Sequence, residues 1–204
     1  MWALIEDNTI TKIINNPKAM LIGDTQYSRN IFSFRWSNAE REAIGLYEIV
    51  FDNTNKKDEQ WYINTNQYFA FADGVVTASF GSATAKAHAD ANATDADGND
   101  LDPVIVIEGL KTIKIRAVKK EAANILAETD WYIVRKADAN TAIPSAITTF
   151  RAAVRTKAAA METAITNASN TPAIETLYTY VNTADEGDPV VMERPLGQLP
   201  TLES

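Results

Sequence analysis

The spacing of apolar residues divides the chain into two halves with different periods. In the first half the apolar runs are short and bounded by turn-forming residues, which is typical of strands. Residues 2–5 and 9–14 flank Glu6-Asp7-Asn8, and residues 69–71 and 75–80 flank Asp73-Gly74, so each pair predicts a β-hairpin. Ser37-Asn-Ala-Glu40 fits a capping box at the start of a short helix. These features predict an antiparallel β domain with one short helix over residues 1–85.

The second half has a period of about 3.6 residues, which is that of an α-helix. Apolar residues recur at three- and four-residue steps between Leu110 and Leu126, and Pro144 suits the first turn of another helix. Along that helix runs a heptad-like seam, made of Ile147, Phe150, Val154, Ala158, Met161 and Ile165. We predict a helical hairpin domain over residues 106–182, with a connection at residues 129–140 and a short third helix after Asn170. The seam either forms the hairpin core, which we favour, or faces a neighbouring subunit.

Two segments lack this periodicity. Residues 86–105 are rich in Ala, Thr, Asp and Asn, which predicts an acidic linker or loop. Residues 183–204 contain prolines and alternating charges, which predicts an extended arm with no core of its own. The whole chain is therefore expected to have an α+β fold.

Composition narrows the classes of function. The 204 residues include no cysteine, which excludes disulfides and cysteine-based metal sites. The formal net charge of -8 is unfavourable for binding a phosphate backbone, so we expect no nucleic-acid partner. No apolar run approaches the roughly 20 residues of a membrane-spanning helix, and the N-terminus lacks the basic flank of a secretory signal. We expect a soluble protein made in the cytoplasm, without a membrane partner.

The residues that could carry chemistry are few. His88 is the only histidine and has no second imidazole nearby, so we expect no catalytic relay. Five aspartates fall between Asp90 and Asp102, but the EF-hand pattern fails there because Ala93 and Val104 occupy ligand positions. A solvated acidic loop is favoured over a calcium site, which stays an alternative. No carboxylate pair stands out among Glu40, Glu42, Asp58 and Glu59. We predict no catalytic, cofactor or metal residue, and no enzyme.

Two clusters of side chains have alternative interpretations. The aromatic residues near the second hairpin are expected to fill the core of a small sheet, although they could form a receptor- or sugar-binding face; they are Trp61, Tyr62, Tyr68, Phe69 and Phe71. A basic cluster on the first long helix is expected to solvate it or to pair with carboxylates; it comprises Lys111, Lys114, Arg116, Lys119 and Lys120.

One stretch carries a family resemblance. A helix ends in Leu126-Ala-Glu-Thr129-Asp130-Trp131, and the next carries Phe150-Arg151-Ala-Ala-Val-Arg155. This arrangement, over residues 121–157, resembles the C-terminal region of phage tail assembly and tail-fibre assembly chaperone proteins. The preceding half, with Phe51 to Tyr62, is similar in style to small β domains of uncharacterised marine phage proteins.

The resemblance implies a non-enzymatic bacteriophage tail protein that acts through protein–protein contacts, in the virion tail or in the host cytoplasm during assembly. Its partners would be tail or tail-fibre proteins, with homo-oligomers as a further expectation. Both a chaperone and a permanent virion component stay open, and the alternative function is a receptor- or carbohydrate-binding module. Trp131 is expected to wedge the hairpin. The predicted partner-binding residues are Trp131, Phe150, Arg151, Val154, Arg155 and Met161.

Overall fold

The computed structural model describes residues 1–202, which form two compact units. The first unit is Met1–Thr84 and the second begins at Ala85, next to the predicted domain limit at residue 85. The first unit contains strands and one short helix, and about half of the second is helical, so the chain has an α+β fold.

The first unit is built on five long strands with short elements between them. Its elements are β1 (Trp2–Glu6), β2 (Thr9–Ile14), β3 (Met20–Ile22), β4 (Thr25–Tyr27), a 3₁₀ turn (Arg29–Phe32), α1 (Asn38–Glu42), β5 (Leu46–Asp52), β6 (Tyr62–Ile63), β7 (Gln67–Ala72) and β8 (Val75–Phe80). β9 (Thr84–Ala85) spans the boundary between the units.

Local sequence signals account for the turns and the helix of this unit. The two hairpins form as predicted, because Asp7-Asn8 and Asp73-Gly74 all adopt the positive φ that a tight two-residue turn requires. The capping box also forms: the Ser37 hydroxyl accepts from the Glu40 N–H at 3.2 Å, and Glu40 accepts from the Ser37 N–H at 2.7 Å.

The main sheet is mixed, which corrects the prediction of an antiparallel domain. Its strand order is β2-β1-β5-β8-β7, and β5 pairs with β8 in parallel, with Ile49 opposite Val76. The chain between Asp52 and Gln67 crosses to the outer edge before the β7–β8 hairpin turns back, so β8 runs in the direction of β5. The edge strands β2 and β7 approach within 8 Å of each other, Cα to Cα, so the sheet curls toward closure.

Strand β1 is buried on both faces, and one small core lies on each side of it. Ala3 and Ile5 pack with Ile49, Val76 and Ala78 on one side. On the other side, Trp2 packs with Ile14, Ile31 and Leu46. The buried Arg41 guanidinium lies 4.8 Å from the Trp2 ring and donates to the carbonyls of Ile31 and Ser33, which fixes the loop before α1.

The second unit begins with a small two-stranded ribbon and continues into four helices. Its elements are β10 (Ala91–Asn92), β11 (Val106–Ile107), α2 (Leu110–Ala127), α3 (Asp130–Ala139), α4 (Ser145–Asn167), α5 (Thr171–Tyr178), β12 (Val181–Asn182) and β13 (Met192–Glu193). The hairpin of two long helices is formed by α2 and α4, which pack against each other. The prediction of a loop connection at residues 129–140 is wrong, because Asp130–Ala139 form the helix α3.

The predicted seam on α4 is buried in the hydrophobic core. All six of its residues are buried, from Ile147 to Ile165, and Val154 and Ile165 expose no surface. The five from Phe150 to Ile165 share one core with Val118 and Ala122 of α2. Burying the Ile, Phe, Val and Met side chains of the seam contributes about 1.5–3 kcal/mol each to folding.

Both segments without periodicity take part in this unit, which corrects their description as linker and arm. Asp90 accepts hydrogen bonds from the Gly109 N–H and the Thr112 hydroxyl, so it joins the segment before β10 to the start of α2. Near the C-terminus, Leu196 and Leu199 are buried in the helical core. The arm therefore adds two side chains to the core.

Candidate functional site

The motif that carried the resemblance forms a polar corner between α2 and α3. The buried Thr129 donates its hydroxyl to the Leu126 carbonyl at 3.0 Å, where α2 ends. Arg151 of α4 donates from Nη1 to the same carbonyl at 2.7 Å and to Thr129 Oγ1 at 2.6 Å. Its Nη2 lies 2.8 Å from Asp130 Oδ1, the first residue of α3. We call this group, Leu126, Thr129, Asp130 and Arg151, the Arg151 corner.

The corner gives Arg151 a structural role. The residue is 7% exposed, and its charge compensates the carbonyl end of α2 and the Asp130 carboxylate. A cation at the C-terminal end of a helix interacts favourably with its unsatisfied carbonyls. Arg151 is therefore held inside the chain, and a partner has no access to it in this fold.

The structure separates the six predicted partner-binding residues into two groups. Phe150, Val154 and Met161 are buried in the helical core with Arg151, so these four do not form a surface. This corrects their assignment, and the reason is that a heptad seam meets the antiparallel helix of its own chain first. Trp131 and Arg155 are exposed. The other prediction for Trp131, that it wedges the helical hairpin, is wrong because about half of the residue is exposed.

Helix α3 presents an apolar surface to solvent. No residue of α3 is buried, and Trp131, Ile133 and Val134 are 51%, 42% and 65% exposed. Trp131 and Val134 are three residues apart and so lie on one side of the helix, with Ile133 about 100° round the helix from Val134; we call the surface around Trp131 and Val134 the α3 face. The sequence signal for it is the run Trp131-Tyr-Ile-Val134: four successive positions span about 300° of a helix, so they cannot all face one core.

Side chains beside the α3 face hold its tryptophan in place. The Trp131 and Tyr132 rings lie 3.8 Å apart, centroid to centroid. The Arg135 guanidinium lies 4.7 Å from the Trp131 ring and 5.3 Å from the Tyr132 ring. Such stacking favours one arrangement of the three side chains. The α3 face therefore carries an ordered aromatic residue next to a positive charge.

The basic cluster on α2 mostly pairs within the chain. Arg116 forms an ion pair with Glu108, and Lys119 Nζ lies 3.4 Å from Glu162. Lys111 donates to the Thr166 carbonyl at 2.8 Å. These contacts join α2 to its neighbours in the second unit, so the cluster is not a free basic surface.

The aromatic residues of the first unit are mainly core, as favoured from the sequence. Trp61 and Tyr62 are buried, and Phe69 and Phe71 pack against the inner core of the sheet. Tyr68 alone of the five is exposed. The set therefore does not form a stacking platform for a sugar.

The acidic loop is organised by its own backbone. Asp95 accepts from the N–H groups of Asp97 and Asn99 at 2.9 Å, and the hydrogen bond from Asn99 is the main cause that lowers the Asp95 pKa. Within residues 1–202 no three His, Asp or Glu side chains converge as metal ligands. His88 is half-buried in the segment before β10.

Comparison with known proteins identifies no relative. No protein-family model, no curated protein and no solved structure matches the chain. Across residues 1–202, none of the helices combines the length and apolar character needed to cross a membrane.

Proposed function

We propose that the protein is a non-enzymatic component of a bacteriophage tail, which contacts tail or tail-fibre subunits through the α3 face. The observation that carries the proposal is the exposure of Trp131, Ile133 and Val134 on a helix that buries no residue. This helix begins within the Thr129-Asp130-Trp131 motif, whose resemblance suggested tail assembly. The proposed contact surface is therefore still next to this motif, but it lies on α3 and not on the seam of α4.

Physical chemistry makes the α3 face suitable for a protein partner. Adjacent large apolar side chains on a surface mark interaction sites, because water leaves them at a gain of about 25 cal/mol per Å². Tryptophan and arginine are the residues most enriched among those that dominate binding energy. Because Arg135 already orders the Trp131 ring, less side-chain entropy is lost on binding.

The anchoring of α3 supports the same role. Asp130, its first residue, is paired with Arg151 of the helical core, so the start of the helix is fixed. A surface held on a fixed element keeps its geometry for a partner. The protein would act in the virion tail or in the host cytoplasm during assembly.

The test is binding of tail and tail-fibre proteins from the same phage to purified variants. Val134→Glu places a charge in the α3 face, and we expect binding at least about tenfold weaker because a buried unpaired charge is costly. Val190→Glu is the matched control, since Val190 is also a highly exposed valine, at 70% against 65%, and lies outside α3. Equal binding by both variants would contradict the proposal.

Three further measurements narrow the identity of the partner and of the residues that contact it. Arg155→Glu tests the exposed arginine of the predicted pair, and we expect at most a small change because Arg155 lies on α4. Reversing Arg151 as well would break the Arg151 corner and could not report on binding.

Presence of the protein in purified virions would separate a permanent component from a chaperone. Loss of a homo-oligomer in Val134→Glu would identify the partner as a second copy.

A further inference from the structure

A second apolar surface lies in the ribbon that precedes the helices. The four consecutive residues Val104, Ile105, Val106 and Ile107 are 53–58% exposed. Successive residues of a strand point to opposite faces, so this segment exposes β-branched side chains on both faces. We call it the β11 edge.

The backbone of the β11 edge is open on one side. β11 pairs antiparallel with β10, with Ala91 opposite Ile107, and the Ala93 N–H donates to the Ile105 carbonyl at 2.7 Å. Because successive residues of a strand direct their N–H and C=O groups to opposite sides in turn, and those of Ile105 and Ile107 face β10, those of Val106 point away from it. In the part of the chain that the structure describes, no third strand joins this ribbon.

An edge of this kind favours the addition of a strand. A two-stranded ribbon is only marginally stable in water, and a third strand adds hydrogen bonds and cross-strand contacts. Proteins usually protect an exposed edge by keeping the strand short, as the two residues of β11 are, or with lysine, proline or a bulge. Here Pro103 precedes the edge, but Val104 to Ile107 include neither a charge nor a proline.

The negative charge near the β11 edge determines which kind of strand would bind there. Residues 87–107 contain five aspartates and neither lysine nor arginine. A second copy of this chain would bring another acidic loop against the first, which is unfavourable. A strand with basic ends would instead be attracted.

We propose that the β11 edge binds an extended strand of a partner protein that has apolar residues at alternate positions and Lys or Arg at its ends. The strand would pair with the outward backbone groups of Val106, as in other complexes formed by strand addition. This site is separate from the α3 face and does not depend on the proposed tail function.

A synthetic peptide tests the proposal with the intact chain. The probe is a fluorescein-labelled peptide in which three valines alternate with two threonines between terminal lysine pairs, and its binding is followed by anisotropy. We expect saturable binding that weakens as salt is raised. A peptide with glutamates in place of the lysines, and one N-methylated at every residue between the lysines, should each bind at least about tenfold more weakly.

Protein variants locate the site. Val106→Pro removes one outward N–H, and prolines are tolerated where that group faces solvent, so we expect the ribbon to remain while binding falls about five- to tenfold. Val106→Ala, which keeps the N–H, is the control for the lost side chain, and Val134→Glu should bind the peptide like the unmodified chain. If Val106→Pro does not fold, as judged by circular dichroism, the N-methylated peptide decides the question.

Three results would overturn the proposal. The first is equal affinity for the N-methylated and unmethylated peptides, and the second is equal affinity for glutamate- and lysine-ended peptides. The third is a dimer of the chain, measured by light scattering, that Val106→Pro converts to monomer, because the occupant of the edge would then be a second copy.

Discussion

Replacing Arg151 is the sharpest test of how the helical unit is held together. Arg151→Met keeps most of the buried aliphatic volume but removes the contacts of the guanidinium with Leu126, Thr129 and Asp130. The Asp130 side chain remains mostly in solvent, so its pairing contributes at most about 1 kcal/mol. The Leu126 carbonyl and the Thr129 hydroxyl lose a charged donor inside the protein, which is a greater loss.

The magnitude follows from these contacts. Hydrogen bonds to a charged group contribute about 1.5–3 kcal/mol each, and the two made by Nη1 share one donor atom. The Nε of Arg151 has no hydrogen-bond partner within residues 1–202, so part of its desolvation cost is not offset, and this reduces the loss. We expect Arg151→Met to lower the free energy of unfolding by about 3 kcal/mol.

Urea unfolding followed by circular dichroism at the helical band measures this change, because α2 to α5 all belong to the second unit. With a slope near 2 kcal/mol per molar urea, the midpoint should fall by roughly 1.5 M. Arg155→Met is the matched control: the same substitution one turn away, at an exposed position, should change stability by less than about 0.5 kcal/mol. If the two variants lose the same stability, the structural role of the Arg151 corner is refuted.

Three further predictions concern stability. Leu196→Ala should cost about 2–4 kcal/mol in urea unfolding because it empties a core position, whereas the exposed Leu202→Ala should be nearly neutral; equal effects would contradict the burial of the arm. The Gly109 N–H is the main cause that lowers the Asp90 pKa, so this carboxylate stabilises the fold above its unfolded pKa and loses that effect as pH falls through the lowered value; Asp90→Asn should flatten this acid dependence in urea midpoints. Ser37→Ala should cost about 1 kcal/mol, measured on the first unit, and no change would contradict a stabilising capping box.

Local signals in the sequence predicted much of the fold. The hairpin turns, the capping box and the α4 seam each depend on residues within a few positions, or on a repeat along one helix. Such features persist in any tertiary arrangement, because they follow from backbone sterics and from the period of the helix. Burial of the seam in the second unit follows from the same repeat.

The partner-binding residues were less predictable. From the sequence, Arg151 and Arg155 are equivalent: both are arginines one turn apart on α4. Their difference arises because Thr129 and Leu126 lie 22 and 25 residues before Arg151 and meet it only after α2 and α4 pack. The α3 face was obscured in the same way, since an apolar run in a helix does not indicate which of its residues face solvent.

The sequence alone thus determined the strand-rich first half, the helix-rich second half, the turns and caps, and the period of the packed helices. Only the tertiary structure decided the parallel pairing of β5 with β8, the helical form of residues 130–139, the burial of Leu196 and Leu199, and the exposure of the α3 face and the β11 edge. The physical reason is the distance along the chain over which each interaction acts. Propensity and capping act over a few residues, whereas strand order, burial and the partner of a buried charge are set by segments far apart in the chain.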